Sequence, residues 1–251
     1  MSTEPIRPGA VRPLVIAHRG ASAYRPENTP EAFALAIEQR CDMIETDLHF
    51  TRDREIAICH DADLGHLGAD GEIGERNLAE VRSLDAGHGQ SVPTLDEVLD
   101  SFGHRVPFNL EIKQSGKGPY EGLEARSFEA VRARGLVPRT LFSSFYDPVL
   151  AELRRQSVTA RVALLLSPKW AKNPIKRALA LSAEAINPHF SIVDDALVKR
   201  AHDAGLRVYV YTVDPVEEME RLLAIGVDGL FTNRPDVLRG LLDAPGSDSL
   251  A

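Results

Sequence analysis

Histidine, arginine and carboxylate side chains gather at the ends of a few short apolar runs. The run 14–18 closes on His18-Arg19-Gly20. The next carries Glu45 and Asp47, two positions apart, which an extended backbone turns to the same face. A shorter run, 55–59, leads straight into His60-Asp61, and a later one carries Asn109, Glu111 and Lys113 at alternate positions, again on one face. Three carboxylates converging from neighbouring strands repel one another, and a hard divalent cation is the usual remedy. An all-oxygen donor set suits Mg²⁺ or Ca²⁺, with water and substrate oxygens completing the shell. The alternative is that Glu45 and Asp47 are ion-paired to Arg19 or Lys113. Histidine titrates near neutrality, so His18 and His60 could divide the roles of general acid and general base. Arg19 and Lys113 add positive charge suited to an oxyanion such as phosphate, although a plain surface ion pair is another use for Arg19. The remaining histidines (His49, His66, His88, His104, His189 and His202) have no comparable neighbours, and His202 is expected on a helix surface.

These groups meet only if their runs become adjacent strands. Strand signals fall at 14–18, 43–48, 107–113, 140–144, 161–166, 185–188, 207–212 and 229–232. Helical periodicity fills most of the gaps, at 30–39, 95–102, 121–134, 148–156, 171–181, 195–204, 215–224 and 235–242. Strict alternation of this kind predicts an α/β fold with a parallel sheet and crossover helices. The number of units favours closure into a (β/α)8 TIM barrel over an open doubly wound sheet, and in such a barrel the C-terminal ends of the strands line the active-site mouth. Asn28-Thr29-Pro30-Glu31 reads as an Asn cap before a proline, and Asp214-Pro215 and Asn233-Arg234-Pro235 repeat the device. Helices are expected to end near Gly135, Gly205 and Gly226. One segment breaks the rhythm: after the second strand comes a Gly- and Asp-rich insertion, 61–91, long enough to be a small subdomain or a cap over the mouth. The expected organisation is one barrel domain over 14–242, with flexible termini at 1–13 and 243–251.

Composition narrows the partners. The chain has 251 residues, 43% hydrophobic and 26% charged, which excludes global disorder. Its net charge of −8, with no block of basic residues, makes nucleic acid an improbable ligand. No apolar run is long enough for stable membrane insertion. Residues 1–13 carry three prolines and no signal-peptide core, so the expected location is the cytoplasm and the two cysteines, Cys41 and Cys59, are expected as free thiols.

His18-Arg19-Gly20, Pro26-Glu27-Asn28-Thr29, Glu45-Thr46-Asp47, His60-Asp61 and Leu110-Glu111-Ile112-Lys113 together resemble, in order and spacing, the motifs of glycerophosphodiester phosphodiesterases. Val92-Pro93-Thr94-Leu95, Ser143-Ser144-Phe145, Ala185-Ile186-Asn187-Pro188 and Gly226-Val227-Asp228-Gly229 extend the match over about 14–242. The resemblance implies a barrel with a small insertion after the second strand. It also implies a Mg²⁺- or Ca²⁺-dependent hydrolase that releases glycerol 3-phosphate and an alcohol from a small glycerophosphodiester. By residue matching, Glu45, Asp47 and Glu111 would bind the metal and His18 and His60 would be the acid/base pair. Arg19 and Lys113 would hold the phosphate. Phe145 and Tyr211, with Trp170, would line the substrate mouth, ordinary core packing being the alternative for each ring. The chain departs from the pattern in three places. A Trp-Thr-Val-Asn stretch reads Tyr211-Thr212-Val213-Asp214, an Arg-Thr-Thr stretch after His60-Asp61 is replaced by Gly65-His66-Leu67-Gly68, and Thr-Asp-Arg-Pro reads Thr232-Asn233-Arg234-Pro235. Two rival readings use the same residues: a lysophospholipase D-type hydrolase with a greasier mouth, and a non-catalytic phosphate-binding barrel. The second would be favoured by loss of a histidine or carboxylate, and none is lost.

Overall fold

The computed structural model describes residues 12–244. Eight parallel strands form the sheet: β1 (Leu14–His18), β2 (Met43–Phe50), β3 (Phe108–Ile112), β4 (Thr140–Ser144), β5 (Arg161–Leu166), β6 (Ala185–Pro188), β7 (Arg207–Val210) and β8 (Gly229–Thr232). Each pairs with the next, and β1 pairs with both β2 and β8, so the sheet closes into a barrel. Its outer layer is α1 (Pro30–Glu38), α2 (Leu95–Phe102), α3 (Leu123–Ala133), α4 (Asp147–Gln156), α5 (Pro174–Ala180), α6 (Asp195–Asp203), α7 (Val216–Ala224) and α8 (Pro235–Asp243). The three glycines expected to end helices do so in left-handed backbone, with φ of 67° at Gly135, 75° at Gly205 and 79° at Gly226.

Alternation along the strands sorts the side chains into two layers. Outward residues such as Ile44, Leu48, Phe108, Leu110, Phe142 and Val208 pack under the helices in the main core. Inward residues Ile16, Met43, Leu141, Ala163, Ala185, Tyr209 and Phe231 plug the floor of the barrel. Each of the larger side chains among them (Ile16, Met43, Leu141 and Phe231) contributes roughly 1.5–3 kcal/mol on burial, so the plug is a stable base. Two residues beyond it come His18, Glu45, Ser143, Leu165, Asn187, Tyr211 and Asn233. The floor of the mouth is therefore built by the same period that builds the core.

An antiparallel strand, Ile56–Ile58, laid against the end of β2, leads into the insertion. The insertion includes a short helix, Leu78–Arg82, and its Leu64, Ile73 and Val81 form an apolar cluster with the flanking Ala57, Cys59 and Val92. Both cysteines are free. Most of the termini expected to be flexible lies outside the described residues. Where they are described they are tied down: Arg12 bonds Asp42 at 3.3 Å and Asp243 at 3.2 Å, and Asp243 belongs to α8. Among the described residues no helix is long and apolar enough to cross a membrane.

Candidate active site

Strand register sets the floor of the mouth. His18 lies beside Glu45, Glu45 beside Asn109, Asp47 beside Glu111, and Glu111 beside Ser143. As a result one ligand atom from each of Glu45, Asp47 and Glu111 falls within 4.8 Å of the others. All three residues are buried, with relative exposures of 3%, 1% and 9%. The three carboxylates converge as expected, and of the two expected ion pairs only that of Asp47 forms. Asp47 is ion-paired, to Lys113 Nζ at 3.0 Å and to Arg19 Nε at 3.4 Å, and Lys113 also donates to Glu111 Oε1 at 2.8 Å. Glu45 instead accepts the Arg19 backbone N–H at 3.1 Å.

The charges follow. Burial raises the Glu45 pKa well above the usual carboxylate range, and the negative neighbours Asp47 and Glu111 push it the same way. Burial also raises Glu111, with Lys113 opposing. Burial would lift Asp47 too, but the Lys113 ammonium and Arg19 guanidinium outweigh it and hold that carboxyl below its ordinary value. The donor set fits a hard divalent cation: three buried carboxylates meet, and beside them the buried Asn109 Oδ1 receives no hydrogen bond.

Asn28 is not the helix cap that the sequence suggested. Pro30 occupies the first helical position, so the cap falls on Thr29, whose hydroxyl accepts from the Ala32 N–H. Asn28, with φ of 58°, turns inward; its Nδ2 donates to Asp47 Oδ2 at 2.9 Å while its Oδ1 accepts from Thr46 at 2.7 Å. The close turn before it needs Gly20, where a Cβ would sit 2.6 Å from the Ala32 carbonyl carbon.

His18 and His60 both reach the cavity. His18 Nδ1 lies 2.7 Å from Asn233 Oδ1, and its pKa falls to about 4 through burial and the nearby Arg19. His60 Nδ1 is 2.9 Å from Asp61 Oδ1. Burial lowers its pKa, while Asp47 pulls the other way. His49, unassigned by sequence, sits behind His60 with Nε2 3.1 Å from the His60 carbonyl and Nδ1 3.0 Å from the Tyr120 hydroxyl. The backbone that presents His60 is thereby pinned.

The cavity measures about 220 Å³ and is lined by His18, Arg19, Glu45, His60, Asn109, Glu111, Lys113, Ser143, Phe145, Leu165, His189, Tyr211, Thr212 and Phe231. Of the nine residues singled out by sequence, eight line it directly, and Asp47 lies behind Arg19 and Lys113. Phe145 and Tyr211 meet edge to face at 6.0 Å, and Tyr211 is fixed by its hydroxyl donating to the Leu166 carbonyl at 3.0 Å. Trp170 is 57% exposed and contributes nothing to the lining. None of the residues that line the cavity comes from the insertion, 61–91. His189, with no charged residue beside it in the sequence, also lines the cavity, its ring packed edge to face on Tyr211 at 5.6 Å. Its signal in the sequence is its position just after a strand end, in Asn187-Pro188-His189. His202, expected on a helix surface, lies on α6, half-buried, with its Nε2 2.8 Å from Asp228 Oδ2.

Comparison with known proteins agrees with this geometry. Residues 18–237 match the model of the glycerophosphoryl diester phosphodiesterase family. A glycerophosphodiester phosphodiesterase from Caldanaerobacter subterraneus is 32% identical over 241 residues, spanning 92% of this chain and 98% of the relative. The crystal structure of a candidate glycerophosphoryl diester phosphodiesterase from Silicibacter pomeroyi matches with a TM-score of 0.86 at 27% identity, covering 94% of this chain and 95% of that one. A phosphodiesterase from Oleispira antarctica, solved in complex with the product sn-glycerol-3-phosphate, matches with a TM-score of 0.78 at 28% identity, covering 92% and 97%. The barrel, its mouth and these matches place the chain in the glycerophosphoryl diester phosphodiesterase family.

Proposed function

We propose that this protein hydrolyses small glycerophosphodiesters to glycerol 3-phosphate and an alcohol, with Glu45, Asp47 and Glu111 holding a divalent cation and His18 and His60 moving the protons. The observation that carries the reading is that Glu45, Glu111, two histidines and two cations line one small cavity in a member of this family, with Asp47 completing the carboxylate cluster beside it. A Mg²⁺ or Ca²⁺ ion bound there would act as a Lewis acid on the phosphoryl oxygens. Arg19 and Lys113, both lining the cavity, would bind the phosphodiester anion and offset the charge that repels a nucleophile. Arg19 is already aimed: its Nη1 donates to both oxygens of Glu27, at 3.0 and 2.9 Å.

The partners of the two histidines suggest their roles. Burial and the nearby Arg19 favour the uncharged His18 ring, and the Asn233 oxygen at Nδ1 leaves the Nε2 lone pair free, so His18 suits the base that deprotonates the attacking oxygen. His60 is held by the Asp61 carboxylate, which supports an imidazolium, so it suits the acid that protonates the leaving alkoxide. The attacking oxygen can be water or the adjacent glycerol hydroxyl; His18 serves either. A cavity of about 220 Å³ is smaller than typical drug-sized pockets of roughly 300–1,000 Å³. That volume favours a glycerophosphoryl unit with a small alcohol over a lysophospholipid, and the Phe145–Tyr211 wall supplies an apolar side for the glycerol.

The deciding assay follows glycerol 3-phosphate release from glycerophosphocholine, with lysophosphatidylcholine in parallel and chelator in matched reactions. Release from the first that stops with chelator and returns with Mg²⁺ or Ca²⁺ is expected. Preference for the lysophospholipid would favour the lipase D-type reading, and binding without turnover of either would leave a phosphate-binding barrel.

A further inference from the structure

His18 is oriented by an amide, and the amide is oriented by a carboxylate. Asn233 Nδ2 donates to Asp214 Oδ2 at 2.6 Å, while Asp214 Oδ1 accepts from the Asn233 backbone N–H at 2.8 Å and from the Thr232 hydroxyl at 3.0 Å. An ionised carboxylate can only accept, so the NH₂ end of Asn233 must face Asp214 and the carbonyl end must face His18. That oxygen, 2.7 Å from His18 Nδ1, can likewise only accept. The imidazole proton therefore sits on Nδ1, and Nε2 turns its lone pair into the cavity, 3.5 Å from Thr212 Oγ1. The Ser22 hydroxyl lies between two acceptors, the His18 carbonyl at 2.7 Å and Asn233 Oδ1 at 2.8 Å, and its one proton serves one of them at a time.

In the motifs this chain resembles, the two residues occur in the opposite order, Asn at position 214 and Asp at position 233. Here the exchange is reciprocal: one carboxylate and one amide are kept, but the amide now touches the histidine. A single unpaired change would have set two carboxylates, or two amides, against each other at hydrogen-bond distance.

We infer that Asp214 and Asn233 are a positioning pair that fixes His18 as the Nδ1-protonated tautomer with Nε2 free toward substrate, and that their exchanged order is one functional unit. The inference rests on the reading of His18 as general base. Neither residue touches substrate in this scheme; both act through His18.

The test uses the full chain and glycerophosphocholine with Mg²⁺. Asp214→Asn removes the acceptor that dictates which way Asn233 faces. Asn233→Asp opposes two carboxylates. Each single variant should lower kcat by about 10–100-fold, short of the 10²–10⁴ expected for removing the histidine itself, with KM within about threefold. The double variant Asp214→Asn/Asn233→Asp rebuilds a complementary pair in the reversed order and should recover to within about threefold of the parent. Single variants that keep the parent rate, or a double variant no faster than the slower single, would overturn the inference. Folding of each variant is checked by thermal melting. Independently of any of them, ¹⁵N spectra of histidine-labelled parent protein should show the ring signal that His18→Ala deletes to be protonated at Nδ1; protonation at Nε2 overturns the inference even if no variant folds. His18→Ala with full activity would overturn the catalytic reading of His18 instead, so the two failures are distinguishable.

Discussion

At the scale of single residues, three carboxylates share the barrel mouth with two cations, Lys113 and Arg19, and the surplus negative charge falls on Glu45. A carboxyl whose native pKa is raised stabilises the fold fully below its ordinary value near 4.5 and loses that contribution as pH rises through the raised value. Asp47, held low by Lys113 and Arg19, behaves oppositely; its contribution is present above the ordinary range and fades as pH falls. A divalent cation removes the Glu45 cost and binds the deprotonated set, so Mg²⁺ or Ca²⁺ should raise the melting temperature more at pH 8 than at pH 5. At a hundred times its Kd the ion would add about 2.7 kcal/mol. Glu45→Gln and Asp47→Asn should lose most of this shift and most of the activity, while a change at the exposed Glu217 on α7 should lose neither. An equal shift at both pH values, together with full turnover after exhaustive chelation, would sink the metal assignment. The histidines give a second test at this scale. His18→Ala and His60→Ala should each lower kcat by about 10²–10⁴, and a nitrophenyl diester, whose leaving group needs little protonation, should rescue His60→Ala alone. Rescue of His18→Ala in its place would reverse the acid and base assignments.

At the scale of elements, the insertion is a buttress. Leu64 and Ile73 are wholly buried in a cluster with Ala57 and Cys59, on the strand that leads into His60. Glu72 accepts from the Gly116 backbone N–H at 3.1 Å and so ties the insertion to the loop after β3. Shortening 65–74 removes Ile73 and opens this cluster, at about 2–5 kcal/mol for the loss of one large buried aliphatic side chain. The expected result is a lower melting temperature and a lower kcat through a displaced His60, with the ranking of small alcohols unchanged. If substrate preference changed while the melting temperature held, the segment would be acting as a cap.

At the scale of the whole molecule, closure depends on the last helix returning to the first strands. Arg239 on α8 is 3% exposed and donates to the Arg40 carbonyl at 3.0 and 2.6 Å and to Asp42 Oδ2 at 2.7 Å. That same Asp42 oxygen accepts the Val15 N–H of β1 at 2.9 Å. One guanidinium thus ties α8 to the turn between α1 and β2 and, through Asp42, to β1. Asp42 is partly exposed, which weakens the ion pair, so Arg239→Ala should cost about 2–3 kcal/mol rather than the larger penalty of a fully buried pair. Urea denaturation should show that loss while kcat of the folded fraction stays at the parent value; a kcat that falls in step with stability would mean that closure also shapes the mouth.

Much of this protein was legible from residue order alone. Alternating apolar runs and helical periods define a parallel barrel, because period-2 and period-3.6 burial leave few other ways to cover both faces of such a sheet. Spacing within a strand put Glu45 with Asp47 and Asn109 with Glu111 and Lys113 on common faces, since the pleat is a local property. What the order of residues could not show was register and turn direction, which are decided between segments far apart in the chain. Asn28, Asp214 and Asn233 each lie just ahead of a proline near a helix start and read as caps, yet Asn28 holds Asp47, Asn233 meets His18 and Asp214 holds Asn233. His189 joined the cavity only when the end of β6 came level with Tyr211, and the insertion proved to support His60 from the side because its apolar residues found the Ile56–Ile58 strand. Local periodicity determined the elements and the chemical types at the mouth; the closing of the barrel decided which of those side chains touch, because only closure sets the distances between them.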